Sequence, residues 1–262
     1  MVGLTLLEKL YGPEEALSQN AFQEILTDFT SGLDAEVAFV GKNSRNWIQV
    51  ESSGSDTKVA INYLRQRFGL VPSLHDIPAS IVIKGKIVDS AKVGYGLYVD
   101  IGVSNTSPVD VLIPLHRLRS HIVDGKKLSL REIVDVFCLH DNFPLSILLL
   151  KTNVDGNKMW AEPSDKQVEM FKNWQSTYLD RVIVLGSYRD QISLALERSG
   201  IKRDIAKIDE LGFLEYALLC KLGTDAPGII KVLGKFLPGV SLYAFSPRKV
   251  NNLLGEILPH LK

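Results

Sequence analysis

The sequence predicts an α+β protein of three domains, in which a small β-barrel lies between two domains that mix strands with helices. The chain has 262 residues, a length that suits two or three domains of ordinary size. Residues 1–72 show a strand-helix-strand-strand-helix pattern, and residues 79–151 contain five short strand-like segments. Residues 152–262 alternate strands with helices in a βαββαβ order, so each domain is predicted from its own pattern of elements.

The N-terminal domain is predicted to be an α/β sandwich, in which helices cover one face of a sheet. Residues 2–10 are predicted to form a strand, and Pro13 then suits the first turn of a helix because its φ angle is already fixed. Residues 35–41 and 46–51 are predicted to pair as strands across a polar turn. A second helix follows, and the prolines within residues 71–78 indicate a linker.

The central domain is predicted to be a small barrel built from short strands. Its apolar residues alternate with other residues, as Ile81, Ile83 and Ile87 show, and glycines interrupt the first connections. The predicted strands are IVIKGKIVD, LYVDIGV, DVLIPL, REIVDVFCL and PLSILLLK. A set of five short strands of this kind favours a closed barrel.

Three segments of this barrel carry the most specific motif of the chain. They are GKI at residues 85–87, YGLYVD at 95–100 and VLIPL at 111–115. Together they resemble the S1-type RNA-binding domain, which is an oligonucleotide-binding (OB) barrel. The resemblance covers residues 79–151 and implies that the barrel binds RNA. It departs from the family at Pro114, where many members carry a histidine, and His116 follows two positions later.

Tyr95 and Tyr98 take the places of the stacking aromatics of that family. Alternation along the strand puts Tyr98 on the face opposite Leu97 and Val99. An exposed tyrosine ring offers a surface on which a base stacks, worth about 1–3 kcal/mol per base, and flanking basic side chains are expected to meet phosphates. The candidate RNA-binding residues are Tyr95, Tyr98, Lys84, Lys86, Lys92, His116, Arg117, Arg119, Lys126 and Lys127. In the alternative interpretation, the tyrosines pack the barrel and the barrel docks protein.

Composition and motifs argue against several other functions. The 30 Lys and Arg equal the 30 Asp and Glu, and a chain of zero net charge is unlike a general DNA-coating protein. Cys138 and His140 share a predicted strand face but lack the further ligands of a metal site. No phosphate-loop, zinc-protease or nucleophile-elbow motif occurs, so we predict no catalytic residue, no metal site and no cofactor. The two cysteines, the lack of a signal-peptide pattern and the short apolar runs indicate a cytoplasmic protein without membrane contact.

The C-terminal domain is predicted to be ferredoxin-like because of its βαββαβ order. Residues 222–228 join a predicted strand to a predicted helix, and their Asp-x-Pro-Gly pattern resembles the ligand loop of amino-acid-binding ACT domains. The resemblance implies an anion or small-molecule site at Thr224, Asp225 and Gly228. In the alternative interpretation, Asp225 caps the helix and Pro227 begins it.

Residues 202–230, together with the upstream barrel, resemble an uncharacterised archaeal protein family, which implies an archaeal source and a role near translation or transcription. We predict a non-catalytic RNA-binding adaptor that associates with the ribosome or another part of the translation machinery. Its flanking domains are expected to dock a protein or to self-associate through open sheet edges such as residues 241–247. The alternatives are a protein-docking accessory factor of the transcription machinery and an amino-acid-sensing regulator.

Overall fold

The computed structural model describes residues 1–74, 77–78, 80–90, 92–104, 108–153 and 158–255. Within these ranges the chain forms a three-stranded sheet, then a closed five-stranded barrel, then a four-stranded sheet. This mixed α+β architecture in three successive parts agrees with the predicted fold class. None of the helices in these ranges combines the length and the apolar character that a bilayer crossing requires.

The N-terminal domain has the order of strands and helices that the sequence predicts. Its elements are β1 (Val2–Lys9), α1 (Glu15–Phe29), β2 (Glu36–Lys42), β3 (Trp47–Ser53) and α2 (Thr57–Arg67). The strands form an antiparallel sheet in the order β1-β3-β2. Phe22 of α1, Val50 of β3 and Leu64 of α2 are fully buried in one core, so the helices cover one face of the sheet.

Five strands close the central barrel. They are β4 (Val82–Val88), β5 (Gly96–Ser104), β6 (Pro108–Pro114), β7 (Pro144–Asn153) and β8 (Lys158–Pro163). Their order around the barrel is β4-β5-β6-β8-β7, and β7 pairs back onto β4. The pairing of β6 with β8 is parallel, whereas the other pairings are antiparallel. The connection from β6 to β7 carries two short helices, α3 (Leu115–Ile122) and α4 (Leu130–Phe137).

One predicted strand of the barrel is wrong, because residues 131–139 form most of α4 and its C-terminal turn. The buried residues of this helix are Leu130, Ile133, Val134 and Phe137. Their three- and four-residue spacing is that of a helix face, and Ser129 with Glu132 forms a capping box at its start. The missing barrel strand is β8, which lies beyond residue 151 in the segment predicted to open the C-terminal domain.

The C-terminal domain follows α5 (Asp165–Ser176). Its elements are β9 (Arg181–Leu185), α6 (Arg189–Arg198), β10 (Ile205–Glu210), β11 (Glu215–Cys220), α7 (Ala226–Leu233), β12 (Ser241–Phe245) and α8 (Pro247–Leu254). The sheet is antiparallel in the order β10-β11-β9-β12. From β9 to β12 the elements follow the βαββαβ order that the sequence predicts.

The first and third domains share a topological plan. Leu70 forms an isolated antiparallel bridge with Leu6 of β1, which adds the rudiment of a fourth strand to the N-terminal sheet. The resulting order, Leu70-β1-β3-β2, corresponds to the order β12-β9-β11-β10 of the C-terminal sheet. The two domains are therefore alike in plan, although no residue-level repeat is evident in the sequence.

A shared core joins the three domains. Val182 and Val184 of β9 pack with the residues of α6 and α7, whereas Ile183 and Leu185 belong to the core that also fills the barrel. Trp47 of the N-terminal domain lies in that same core. The domains thus form one body, which sets the positions of side chains from different domains relative to one another.

Candidate nucleic-acid interface

Two tyrosines at the start of β5 lie on the outside of the barrel. Leu97 and Val99 are fully buried in the interior, whereas Tyr98 between them faces outward and is partly exposed. Tyr95 is 58% exposed. The rings pack edge to face with centroids 6.3 Å apart and an interplanar angle of 84°, and the two hydroxyl groups share a hydrogen bond of 2.8 Å. We call Tyr95 and Tyr98 the tyrosine pair.

The backbone around the tyrosine pair is tightly held. A Cβ atom on Gly96 would lie 2.5 Å from the backbone oxygen of Ile113 on the neighbouring strand β6, so only glycine fits here without a shift. The carbonyl oxygen of Tyr95 accepts a hydrogen bond of 2.8 Å from the backbone N–H of Leu115, the first residue of α3. These contacts fix the position from which the tyrosine rings project.

The phenol of Tyr98 stays protonated at neutral pH. The hydrogen bond with Tyr95 raises the pKa of Tyr98 above its ordinary value, and partial burial and nearby Asp110 act in the same direction. An uncharged ring does not repel a phosphate backbone, and its face is open to a base.

The N-terminal domain covers the same barrel face beyond the tyrosine pair. Asp100, the next outward residue of β5, is completely buried. Its Oδ2 atom accepts a hydrogen bond from Nε1 of Trp47 at 3.0 Å and lies 2.8 Å from Nζ of Lys9. The Nε atom of Arg45 lies 3.1 Å from the same oxygen. Because buried charges need such partners, this contact is a specific docking site between the domains.

Lys86 does not belong to an RNA-binding surface, and that prediction is wrong. Its side chain is fully buried between Glu8 of β1, whose Oε2 atom is 2.9 Å from Nζ, and Glu215 of β11. Burial disfavours the charged ammonium, but the carboxylates of Glu215 and Glu8 outweigh it and raise the pKa of Lys86. Lys86 therefore joins one residue from each of the other two domains instead of reaching solvent.

The remaining predicted cations are spread over several places. Lys84 is partly exposed and pairs at 3.3 Å with Glu8 of the N-terminal domain. Arg117 pairs with Glu162 of β8 at 2.9 Å. Lys126 and Lys127 lie in the loop between α3 and α4. The structure therefore does not gather all of the predicted basic residues around the tyrosine pair.

Three of the predicted residues lie on the elements that adjoin the pair. Lys92 and Arg119 line a cleft whose wall includes Gly94 and Leu115. Gly94 precedes Tyr95 in the chain, and Leu115 donates its backbone N–H to the Tyr95 carbonyl oxygen. His116 is exposed at the start of α3. The tyrosine pair, Lys92, His116 and Arg119 thus form the candidate interface.

Backbone N–H groups of the loop at residues 222–228 donate hydrogen bonds to carboxylates of the chain itself. Asp225 caps α7, because its Oδ2 atom accepts the backbone N–H of Gly228 at 3.0 Å. The N–H of Ala226 donates to Oδ2 of Asp180 at 3.1 Å, and Pro227 has no N–H to offer. These contacts agree with the interpretation in which Asp225 caps the helix. They leave no free backbone N–H in the first turn of α7 for an anion to bind. Binding at Thr224, Asp225 and Gly228 is not supported by these contacts.

Cys138 and His140 do not point to a metal site. Burial raises the pKa of the Cys138 thiol to about 12, so the thiol is protonated at neutral pH. The His140 ring stacks on Tyr243 with centroids 3.8 Å apart, and burial lowers its pKa. Within the described ranges, no three His, Cys, Asp or Glu side chains are grouped as metal ligands.

These features define a class of three-domain α+β protein whose central closed barrel presents an aromatic pair outward. The chain belongs to the DUF2110 family. The models of the DUF2110 N-terminal, central and C-terminal domains match residues 3–74, 78–175 and 179–244 respectively. These models do not identify an S1-type domain, so the S1-like interpretation of the barrel is a proposal.

Among solved structures, the chain is similar to an uncharacterized protein of Methanocaldococcus jannaschii with 12% identity, over 34% of this chain and 96% of that chain. The TM-score of that match is 0.23, a level at which the similarity does not define the fold. No curated protein matches the chain.

Proposed function

We propose that the protein is a non-catalytic RNA-binding adaptor and that its barrel is an S1-like OB barrel. The observation that carries the proposal is the outward tyrosine pair at the start of the second strand of a closed five-stranded barrel. In OB barrels, oligonucleotides bind to the face of the second and third strands and to the loop between the first and second. Tyr98 lies on the second barrel strand, and Lys92 and Tyr95 lie between the first and the second.

The chemistry of the candidate interface suits a short single strand. Stacking of a base on an exposed aromatic ring contributes about 1–3 kcal/mol and does not depend strongly on which base it is. Lys92, Arg119 and His116 supply donors for phosphate oxygens on the side of the pair that faces α3. Because the N-terminal domain covers Asp100 and Lys86, the open face has room for only a few nucleotides.

The flanking domains complete the adaptor. The C-terminal sheet order of β10-β11-β9-β12 supports a ferredoxin-like assignment. Its outer strands, and β2 of the N-terminal sheet, are edges that suit a protein partner or a second copy of the chain. We place the adaptor in the cytoplasm of an archaeon, on the ribosome or another part of the translation machinery.

Anisotropy measurements with a labelled single-stranded RNA test the proposal. Tyr98→Ala removes a stacking ring and is expected to weaken binding by about tenfold, whereas the matched Tyr98→Phe variant keeps the ring and most of the affinity. Thermal unfolding of both variants checks that the barrel is intact. Equal affinity of wild type and Tyr98→Ala would show that stacking on Tyr98 does not contribute to RNA binding.

The alternative of a protein-docking accessory factor of the transcription machinery has one observation in its favour. Tyrosines are enriched at protein interfaces, so the exposed pair also suits a protein partner. Salt dependence separates the two functions, since counterion release makes RNA binding weaken steeply as salt rises. The amino-acid-sensing alternative lacks such support, because the backbone N–H groups of Ala226 and Gly228 in its loop already donate to the carboxylates of Asp180 and Asp225.

A further inference from the structure

A cleft of about 750 Å³ lies beside the tyrosine pair. The connection between β4 and β5 forms one wall, and α3 and α4 form the other. Gly94 of the first wall precedes Tyr95 in the chain, and Leu115 of the second wall donates its backbone N–H to the Tyr95 carbonyl oxygen. The cleft therefore adjoins the segment of the chain that carries Tyr95.

The lining of the cleft combines an apolar floor with a cationic rim. The apolar residues are Val93, Leu115, Leu130 and Val134. The cations are Lys92, Arg119 and Arg131, and one carboxylate, Asp135, also lines the cleft. An apolar surface with a few placed polar groups is the usual lining of a small-molecule site.

Arg119 is held in a fixed orientation. Its Nε atom donates a hydrogen bond of 2.8 Å to the backbone oxygen of Leu128, which anchors the guanidinium at one edge. In the described part of the chain, Arg119 forms no ion pair, so no carboxylate occupies its two terminal nitrogens. The carboxylate of Glu132 is in its vicinity, because the Ser129 hydrogen bonds and, to a smaller extent, the Arg119 charge lower the pKa of Glu132. A planar guanidinium with two donors side by side matches the oxygens of a phosphate group.

The other two cations are held only weakly by their partners. Lys92 pairs with Asp89 at 3.0 Å, and both side chains are mostly exposed. The pair of Arg131 with Asp135 has an N–O distance of 3.8 Å, and the Arg131 side chain is 91% exposed. Exposed pairs of this kind contribute little to stability, so a phosphate can replace the carboxylate partners.

We propose that the cleft binds a nucleotide with a terminal phosphate monoester, and that in RNA this nucleotide is the phosphorylated end of the strand that stacks on the tyrosine pair. The base lies on the apolar floor, and the phosphate meets Arg119 and Lys92. A phosphate monoester carries a charge of about −1.5 to −2 at neutral pH and offers three acceptor oxygens, whereas an internal phosphodiester carries a single charge. The part of this inference that concerns RNA ends rests on the proposed function, and the part that concerns the nucleotide does not.

Competition anisotropy with the full chain tests the preference for a phosphorylated end. Three short oligouridylates are compared, with a 5′-phosphate, with a 3′-phosphate and with neither. One phosphorylated form is expected to bind about tenfold more tightly than the unphosphorylated strand. Arg119→Met is expected to abolish this gain, whereas Arg198→Met, which removes an exposed cation on α6 outside the cleft, keeps it. Equal affinities of the three strands, or a full gain in Arg119→Met, would overturn the proposal.

Titration with free nucleotides separates this inference from the proposed function. Uridine monophosphate is expected to shift the NMR signals of Val93 and Leu130 methyl groups, and uridine at the same concentration is not. Lys92→Met, at a mostly exposed site, is expected to weaken the monophosphate response and to leave the fold intact. If the monophosphate binds and no RNA does, the cleft assignment stands and the RNA function fails. If RNA binding depends on Tyr98 but the monophosphate causes no shift, the cleft assignment fails alone.

Discussion

The ammonium group of Lys86 on β4 donates a hydrogen bond to the carboxylate of Glu215 on β11, and both side chains are completely buried. Lys86 also donates to Glu8 on β1, and Glu215 accepts a second hydrogen bond of 2.8 Å from the hydroxyl of Tyr11. Each of the three domains thus contributes to one buried polar cluster. The cluster explains why a lysine in a barrel strand serves the assembly of the domains instead of the ligand.

Replacement of Lys86 by methionine tests this role. The change leaves two carboxylates buried without their cation, and we expect it to destabilise the protein by about 3–5 kcal/mol in urea unfolding. Lys84→Met is the matched control on the same strand, because its side chain is 35% exposed and its ion pair with Glu8 contributes about 1 kcal/mol at most. A Lys86→Met protein as stable as wild type would show that the cluster does not hold the domains together.

Glycine at position 96 is expected to be essential for closure of the barrel next to the tyrosine pair. Gly96→Ala places a Cβ atom 2.5 Å from the Ile113 oxygen, and relief of that contact costs about 1–3 kcal/mol by analogy with overpacked cores. Gly94→Ala is the control, since a Cβ atom there meets no atom within 4 Å. Chemical unfolding of the two variants measures the difference, and equal losses would contradict the tight approach of the strands.

His140 is expected to make the protein less stable in acid. Burial lowers its pKa below the ordinary value of 6.5, so the unfolded chain takes up the proton more readily than the folded chain. The stability that it contributes is therefore present above about pH 6.5 and is lost as pH falls through the lower folded value. His140→Phe keeps a ring to stack on Tyr243 but cannot titrate, so its unfolding free energy should fall less between about pH 7 and about pH 5. An identical loss in both proteins would assign the acid sensitivity to other groups.

Asp225 is expected to matter for stability and not for ligand binding. Asp225→Ala removes the side chain that accepts the Gly228 N–H, and loss of such a cap costs about 0.5–2 kcal/mol. Calorimetry of the wild-type chain with a panel of amino acids should give no binding heat. A clear heat that Asp225→Ala abolishes would instead restore the small-molecule interpretation of this loop.

Patterns that act over short distances allowed much of the fold to be predicted. The strand-helix-strand-strand-helix order of the first domain and the βαββαβ order of the third follow from local periodicity and turn residues. The helical structure of residues 131–139 was harder to predict, because their β-branched and aromatic residues favour a strand by composition. Its helical spacing and the Ser129–Glu132 capping box were the signals that identify α4.

The candidate site was only partly predictable, because its limits depend on distant parts of the chain. Alternation along β5 is sufficient to place Tyr98 outside the barrel. The burial of Lys86 and Asp100 depends on Glu215 and Trp47, which come from other domains and leave no local pattern around the barrel motif. The available signal was the pair Glu8 and Lys9 at the end of a strand whose other residues carry no charge, since buried charges need partners.

Photo-cross-linking of a 4-thiouridine RNA to the full chain, with mapping of the linked peptides, tests whether the tyrosine pair binds RNA. We expect the main cross-links to fall on the segment that contains Tyr95 and Tyr98, and excess unlabelled single-stranded RNA to remove them. Cross-links confined to other surfaces, such as the C-terminal sheet edges, would contradict RNA binding by the tyrosine pair, as would no cross-link under conditions where the RNA is bound.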